Sequence, residues 1–124
     1  MIDNRDRLAR TRSHALALDC IAAGIDAADP TRLTREAVSL ADGTLTVGER
    51  QYDLAAYDEV IVLGGGKAAA VVVAELEAIL GDSLDGGLVV TDAPDSDAAA
   101  STERVEVVAG DHPIPSEHSV AGTR

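Results

Sequence analysis

The sequence predicts one α/β domain, built in three layers around a mainly parallel sheet, with a small β-hairpin beside it. Three observations carry that expectation. From Glu59 to Thr91 an apolar run, a glycine turn, an alanine-rich segment and a second apolar run follow one another, the order of a βαβ unit. A further apolar run at Arg104 to Ala109 supplies a third strand. Ahead of them, Leu45 and Val47 alternate with Thr44 and Thr46, then pass through Gly48-Glu49 into Arg50-Gln51-Tyr52-Asp53. That is a hairpin with glycine first in a tight turn.

Each element has a local reason. Arg5 to Ala28 reads as one amphipathic helix, because Leu8, Ala15, Leu18, Ile21 or Ala22, Ile25 and Ala28 recur at helical spacing after the first turns. Its four early arginines, Arg5, Arg7, Arg10 and Arg12, make a solvated basic start. Asp29-Pro30 ends that helix and suits a new one running to about Val38, with Asp29 as N-cap and Pro30 at the first helical position. Asp42-Gly43 supplies the turn before the hairpin. Glu59 to Leu63 is a buried strand, and Ala68 to Leu80 a helix favoured by its length and alanine content. Gly81-Asp82 stops it, and Gly87 to Thr91 is the next buried strand. Asp92 to Thr102 is acidic and alanine-rich, a loop or a short surface helix. After the third strand, Gly110-Asp111-His112-Pro113-Ile114-Pro115 turns the chain, and Ser116 is placed to cap a last short helix.

Composition narrows the function. The 124 residues fit one domain, and a chain of this size buries roughly two-thirds of its unfolded surface. The net charge is −12, there is no Trp or Phe, and Tyr52 and Tyr57 are the only aromatics. Nucleic acid and anionic membranes are therefore poor partners. Hydrophobic content of 46% is too high for an acidic disordered tail. Twenty-two acidic residues against nine Arg and one Lys suggest a salt-adapted, halophilic cytosol. Cys20 is alone, which excludes an internal disulfide and a Cys-based zinc site, and its apolar neighbours suggest a buried, inert thiol. The N-terminus does not read as a signal peptide and no apolar run reaches membrane-spanning length, so a cytoplasmic location is expected.

The candidate chemistry begins at Gly64-Gly65-Gly66-Lys67, where the chain's single lysine follows three glycines at a strand-to-helix turn. Such a turn lets backbone N–H groups approach an anion, and the helix N-terminus adds positive potential. The helix dipole disfavours lysine in a first helical turn, so the placement calls for an anionic partner. A P-loop is excluded: Ile61 stands where that motif needs glycine, and Ala68 replaces its Ser or Thr. A dinucleotide fingerprint fits only in part, with Gly64 and Gly66 present, Ala69 at the third position and no acidic ribose ligand closing the next strand. The bland reading is a tight βα turn with a solvated lysine. Asp111-His112 follows the third strand's carboxyl end, where His112 suits a phosphate or carboxylate; a rigid loop with a surface histidine is the alternative. Asp92 ends the second strand, where it could touch a metal or a hydroxyl, but a capping or turn aspartate is the favoured reading. His14 and His118 have no ligand-spaced partner, and no Ser-His-Asp set is assignable.

The order of motifs resembles the N-terminal part of the glycerate 2-kinases, the family whose C-terminal region is called MOFRL. The likeness runs from about Ser13 to Arg124. It rests on the Ala27-Ala28-Asp29-Pro30 helix end, the Leu45 to Leu54 hairpin, Val62-Leu63-Gly64-Gly65-Gly66-Lys67-Ala68, Gly86-Gly87-Leu88-Val89-Val90-Thr91 and Gly110-Asp111-His112-Pro113-Ile114-Pro115-Ser116-Glu117. The resemblance implies a Rossmann-like domain of an enzyme that uses ATP and a divalent cation, Mg2+, to phosphorylate the 2-hydroxyl of D-glycerate. It implies Lys67 as an active-site residue, Gly64, Gly65 and Gly66 as its loop, and His112 near the same cleft. No metal ligand is assigned within this chain.

Two departures qualify it. Asp92 to Thr102 is acidic where the family often has aromatic, glycine and basic residues. Family members also continue well past the position of Arg124. Residues 1–124 are thus expected to be a single, incomplete N-terminal domain of a two-domain kinase, inactive alone, with no cofactor necessarily bound, and able to self-associate through an exposed apolar face. Two alternatives stay open: a non-catalytic anion-binding or protein-interaction domain, and a Rossmann domain for NAD or a nucleotide sugar.

Overall fold

A computed structural model describes residues 2–112 and 114–122. The predicted helix over 5–28 is two helices, α1 (Arg5–Leu8) and α2 (Arg12–Ala27). The break has a local cause: the Thr11 side chain accepts the His14 N–H at 3.2 Å and so caps a new helix at a position the periodicity treated as interior. The helix α3 (Pro30–Ala37) starts as expected, with the Asp29 carboxylate accepting the Arg32 N–H at 2.8 Å and Pro30 in the first turn.

The hairpin is larger than expected. Strands β1 (Val38–Ala41), β2 (Thr44–Val47) and β3 (Arg50–Asp53) form an antiparallel sheet in that order. Two-residue turns, Asp42-Gly43 and Gly48-Glu49, join them. Strand β1 escaped sequence reading because Val38 both caps α3 and opens the strand, so no turn residue marks the change.

The second sheet is parallel, in the order β4 (Ile61–Gly65), β5 (Gly86–Thr91), β6 (Val105–Ala109). Helices α4 (Ala69–Leu80) and α5 (Asp97–Ala100) make the crossovers, and α6 (Glu117–Ala121) follows β6. The α/β fold class is borne out. Val73, Leu80, Leu84, Val89 and Val105 form the core, with Leu40 and Leu45 of the antiparallel sheet packed against it. Helix α4 is apolar nearly all round because it is covered twice, by the parallel sheet and by α3 with β1. The Asp92 to Thr102 segment resolves into a short helix capped by Ser96, whose hydroxyl accepts the Ala99 N–H at 3.3 Å.

A carboxylate ties α4 to the start of β6. Glu77 accepts the N–H groups of Glu103, Arg104 and Val105 at 2.9, 2.5 and 2.7 Å. Three donors converge on one anion, which fixes where β6 enters the sheet. Glu77→Ala is expected to cost about 1–3 kcal/mol, because it orphans the part-buried Val105 N–H, while the exposed Glu103 and Arg104 donors turn to water; urea unfolding measures it, and an unchanged midpoint would contradict the role. The outer pair Arg35–Glu75, at 2.6 Å with Arg35 largely exposed, contributes at most about 1 kcal/mol.

One expectation fails here. Cys20 is exposed, since α2 packs on α1 and buries none of its residues. The apolar neighbours that suggested an inert, buried thiol are themselves open to solvent: Leu16, Ile21 and Ile25 are all more than half exposed.

Candidate functional site

All three parallel strands end at one edge of the sheet, so the segments that follow them share it. Gly66-Lys67-Ala68 follows β4, Asp92 follows β5, and Gly110-Asp111-His112 follows β6. With neighbouring strands about 4.8 Å apart, the β4 and β6 ends stand about 10 Å from each other. Ligands bind at such carboxyl edges in open α/β sheets.

The glycine turn is held at its base. Gly66 N–H donates to the Val90 carbonyl at 2.8 Å, and the Gly66 carbonyl accepts the Ala69 N–H at 3.1 Å. Gly66 has φ +135°, and nothing lies within 4 Å of where a Cβ would stand, so backbone conformation rather than space selects glycine there. Lys67 then sits in the turn ahead of α4, with Ala68 as N-cap, one position earlier than the first helical turn expected. Ala68 provides no side-chain cap. The N–H groups of Lys67, Ala68, Ala70 and Val71 therefore meet no acceptor among the described residues. Uncapped donors and the positive end of a twelve-residue helix favour an anion, as the neighbouring lysine does. Lys67 is exposed and makes no ion pair among the described residues. An open cavity of about 480 Å³ lies between β4 and α4, lined by Gly64, Gly65, Gly66, Ala68 and Val72 among others.

The other two strand ends behave differently. After β5 the turn is made by Thr91 rather than Asp92: the buried Thr91 hydroxyl accepts the Ala93 N–H at 3.4 Å, and Asp92 is exposed. After β6, His112 is exposed and accepts or donates no hydrogen bond among the described residues. Pro113 of that loop lies outside the described residues, as does Arg124.

The structure also brings together three side chains that sequence reasoning left apart. The Ser116 hydroxyl donates to Asp111 Oδ2, and His118 Nδ1 faces the same oxygen at 3.4 Å. This is not a hydrolytic triad, because the serine faces the carboxylate and has no base beside it. Ser119 Oγ accepts the Asp111 N–H at 3.0 Å and the Ser116 N–H at 3.4 Å, completing a capping box for α6. The i+5 and i+7 offsets from Asp111 give no periodic signal, so only the folded turn reveals the cluster.

The Ser116 hydroxyl, helped by His118, holds the Asp111 carboxyl below the ordinary 3.8. A depressed pKa means the carboxylate's support for the fold is present above about 3.8 and is lost as pH falls through the lower folded value. The α6 amide resonances are therefore expected to stay constant down to about pH 4 and shift below it, read by NMR. A midpoint above the ordinary value would contradict the hydrogen bond. Among the described residues no three His, Cys, Asp or Glu side chains converge on one point.

The site thus defines a class: an α/β domain with an uncapped helix N-terminus and a glycine-lysine turn at the carboxyl edge of a parallel sheet. The particular family follows from comparison. Residues 16–124 match the family described as "Domain of unknown function (DUF4147)", and the chain belongs to that family. It is 29% identical over 109 residues to the glycerate 2-kinase of Pyrococcus horikoshii (strain OT-3), covering 88% of this chain and 23% of that protein. It superposes on the crystal structure of the PH0495 protein from Pyrococcus horikoshii OT3 with a TM-score of 0.68 and 28% identity, over 90% of this chain and 24% of that one. The resemblance to the N-terminal part of the glycerate 2-kinases is borne out. The chain spans about a quarter of the length of these relatives. No helix among the described residues is long and apolar enough to cross a membrane.

Proposed function

We propose that this domain supplies the anion-binding part of a glycerate 2-kinase active site, and that the complete enzyme transfers a phosphoryl group from ATP to the 2-hydroxyl of D-glycerate. The observation that carries the reading is the uncapped start of α4 beside Lys67. Four N–H groups without an acceptor among the described residues, and one ammonium, favour an anion of the size of a phosphate or a carboxylate. Phosphoryl transfer depends mainly on positioning and on stabilising charge spread over the transferred group, which is what fixed backbone dipoles and a lysine provide. ATP with a divalent cation brings the phosphoryl group when bound. Lys67 neutralises charge on the glycerate carboxylate or on the moving phosphoryl oxygens, and its flexible stem lets the ammonium follow them. His112 stands at the same edge of the sheet as a second contact to the anion. The metal's ligands come from polypeptide outside these residues, as do the remaining substrate contacts, so the 124 residues alone do not turn over.

The reading is tested on the isolated chain by titrating inorganic phosphate, ATP or D-glycerate while following backbone amide resonances. The amides of Lys67, Ala68, Ala70 and Val71 are expected to move together, with the His112 ring following. A titration that leaves these four still, or that moves them only with NAD, would overturn it.

A further inference from the structure

The two halves of the candidate site hang from one place on the central strand. Successive carbonyls along a strand point to opposite neighbours. The Val90 carbonyl accepts the Gly66 N–H at 2.8 Å on the β4 side, and the Thr91 carbonyl accepts the Gly110 N–H at 2.7 Å on the β6 side. The glycine-lysine turn and the loop that carries His112 therefore leave the sheet from adjacent peptide groups of β5.

The Val90 side chain adds a second hold. Val89 and Thr91 are both 2% exposed, and Val89 belongs to the core with Val73 of α4. Val90 stands between them, so its side chain points to the opposite face of the sheet. There it meets both ends of the segment that follows β6. A Cβ on Gly110 would lie 2.5 Å from Val90 Cγ1, and one on Gly122 would lie 3.0 Å from Val90 Cγ2. Gly110 precedes His112 by two residues, and Gly122 closes α6. Valine is stiff about χ1, so neither methyl swings aside freely. The next atom from the Gly110 Cβ position is Ser119 Oγ at 3.5 Å, an ordinary contact. Among the described residues, then, Val90 sets how closely this loop approaches β5. Between the two glycines the loop is tied to itself, because Ser119 Oγ accepts the Asp111 and Ser116 N–H groups. A shift at Gly110 is thus carried to His112 rather than absorbed on the way.

We propose that Val90 is the positioning residue of the anion site. Its carbonyl holds the Lys67 turn, and its side chain seats the His112 loop through Gly110. Lys67 and His112 then face one anion in a fixed relation. Val90 touches no ligand in this role, which rests on the proposed function. Such placement is sensitive, since a displacement of about 1 Å at a reacting group can cost about 100-fold in rate.

The test moves methyl groups at this contact in the 124-residue chain, with inorganic phosphate as the probe and NMR as the readout. Gly110→Ala is expected to raise the apparent phosphate dissociation constant about tenfold, the loss of one charge-assisted hydrogen bond. The amides of Lys67, Ala68, Ala70 and Val71 should still move with phosphate, while the His112 ring no longer follows. Gly110→Ala combined with Val90→Ala keeps the Val90 carbonyl and removes the methyl that the new Cβ meets. That double variant is expected to regain the His112 response and to bind within about threefold of the wild type. A purely structural role predicts the reverse, because two independent packing losses add. A His112 response that is unchanged in Gly110→Ala, or not regained in the double variant, would overturn the role of Val90 and leave the proposed function standing. If Gly110→Ala does not fold, the double variant carries the test: it should fold and bind, and its failure to do so would count against the role equally. A wild-type chain whose α4 amides ignore phosphate removes the proposed function, and this role with it.

Discussion

Lys67→Ala in a full-length enzyme carrying this domain is expected to lower glycerate-dependent kcat/KM by about 100- to 1000-fold, the usual effect of deleting one preorganised electrostatic contact to a transferred group. Folding is not at stake. Lys67 is exposed, lies ahead of the first helical turn and makes no ion pair among the described residues, so stability should change by less than about 0.5 kcal/mol. The partition between constants separates two ways of using the charge. A fall in kcat places the ammonium on oxygens that gain charge in the transition state. A rise in KM for glycerate alone places it on the substrate carboxylate, bound equally before and during transfer. Lys67→Arg should recover only part of the loss, because a planar fork does not replace a compact, mobile ammonium in a tight turn. Near-normal turnover by Lys67→Ala would remove the lysine from the site and with it the main support for the kinase reading.

Much of this geometry is legible in the sequence, and the reasons differ from place to place. The βαβ unit reads directly because each signal agrees with its neighbours. An aliphatic run, a glycine turn and an alanine-rich helix ended by Gly81 permit one arrangement. The two hairpin turns read from their glycines. What failed were features without punctuation. Thr11 ends one helix and caps another inside an unbroken apolar period, and Val38 passes from helix to strand with no turn between. Cys20 was misplaced for a different reason. Periodicity identifies an apolar face, but not whether anything covers it, and α2 buries none of its residues. At the site, the glycine-lysine turn was legible as a motif, whereas the missing cap on α4 was not. An alanine at an N-cap looks inert in sequence and becomes informative only when four donors are seen to meet no acceptor among the described residues. The Asp111, Ser116 and His118 cluster was hidden for the opposite reason, since an irregular turn assembles it.

Gly87→Ala is expected to have the largest effect on the fold. Gly87 stands in the middle of the parallel sheet, paired with Val62. Its φ is +156°, and a Cβ there would lie 2.0 Å from the Val62 carbonyl oxygen and 2.9 Å from the Val62 nitrogen and carbonyl carbon. All three contacts are to backbone, so no side chain can rotate away; β4 itself must move. Overpacking against a fixed neighbour costs about 1–3 kcal/mol, and a non-glycine residue in this backbone region about 1–3 more. Together they approach the lower end of the 5–15 kcal/mol typical of a whole domain. Thermal unfolding should therefore fall by about 10–20 °C. Gly24→Ala provides the contrast. It lies within α2 with nothing within 4 Å of its added Cβ, and should stabilise the chain by roughly 0.5–1 kcal/mol. The same methyl group thus has opposite signs at two positions, which no general dislike of substitution explains. The effect also reaches the site. Strand β4 carries Gly64 and Gly65 into the turn, and the Gly66 N–H bond to Val90 depends on β4 and β5 staying in register. Any Gly87→Ala protein that remains folded should bind phosphate more weakly at the start of α4 while keeping Lys67. If it instead unfolds at the wild-type temperature, Val62 has room to yield, and the close approach of β4 to β5 is not what fixes the glycine-lysine turn.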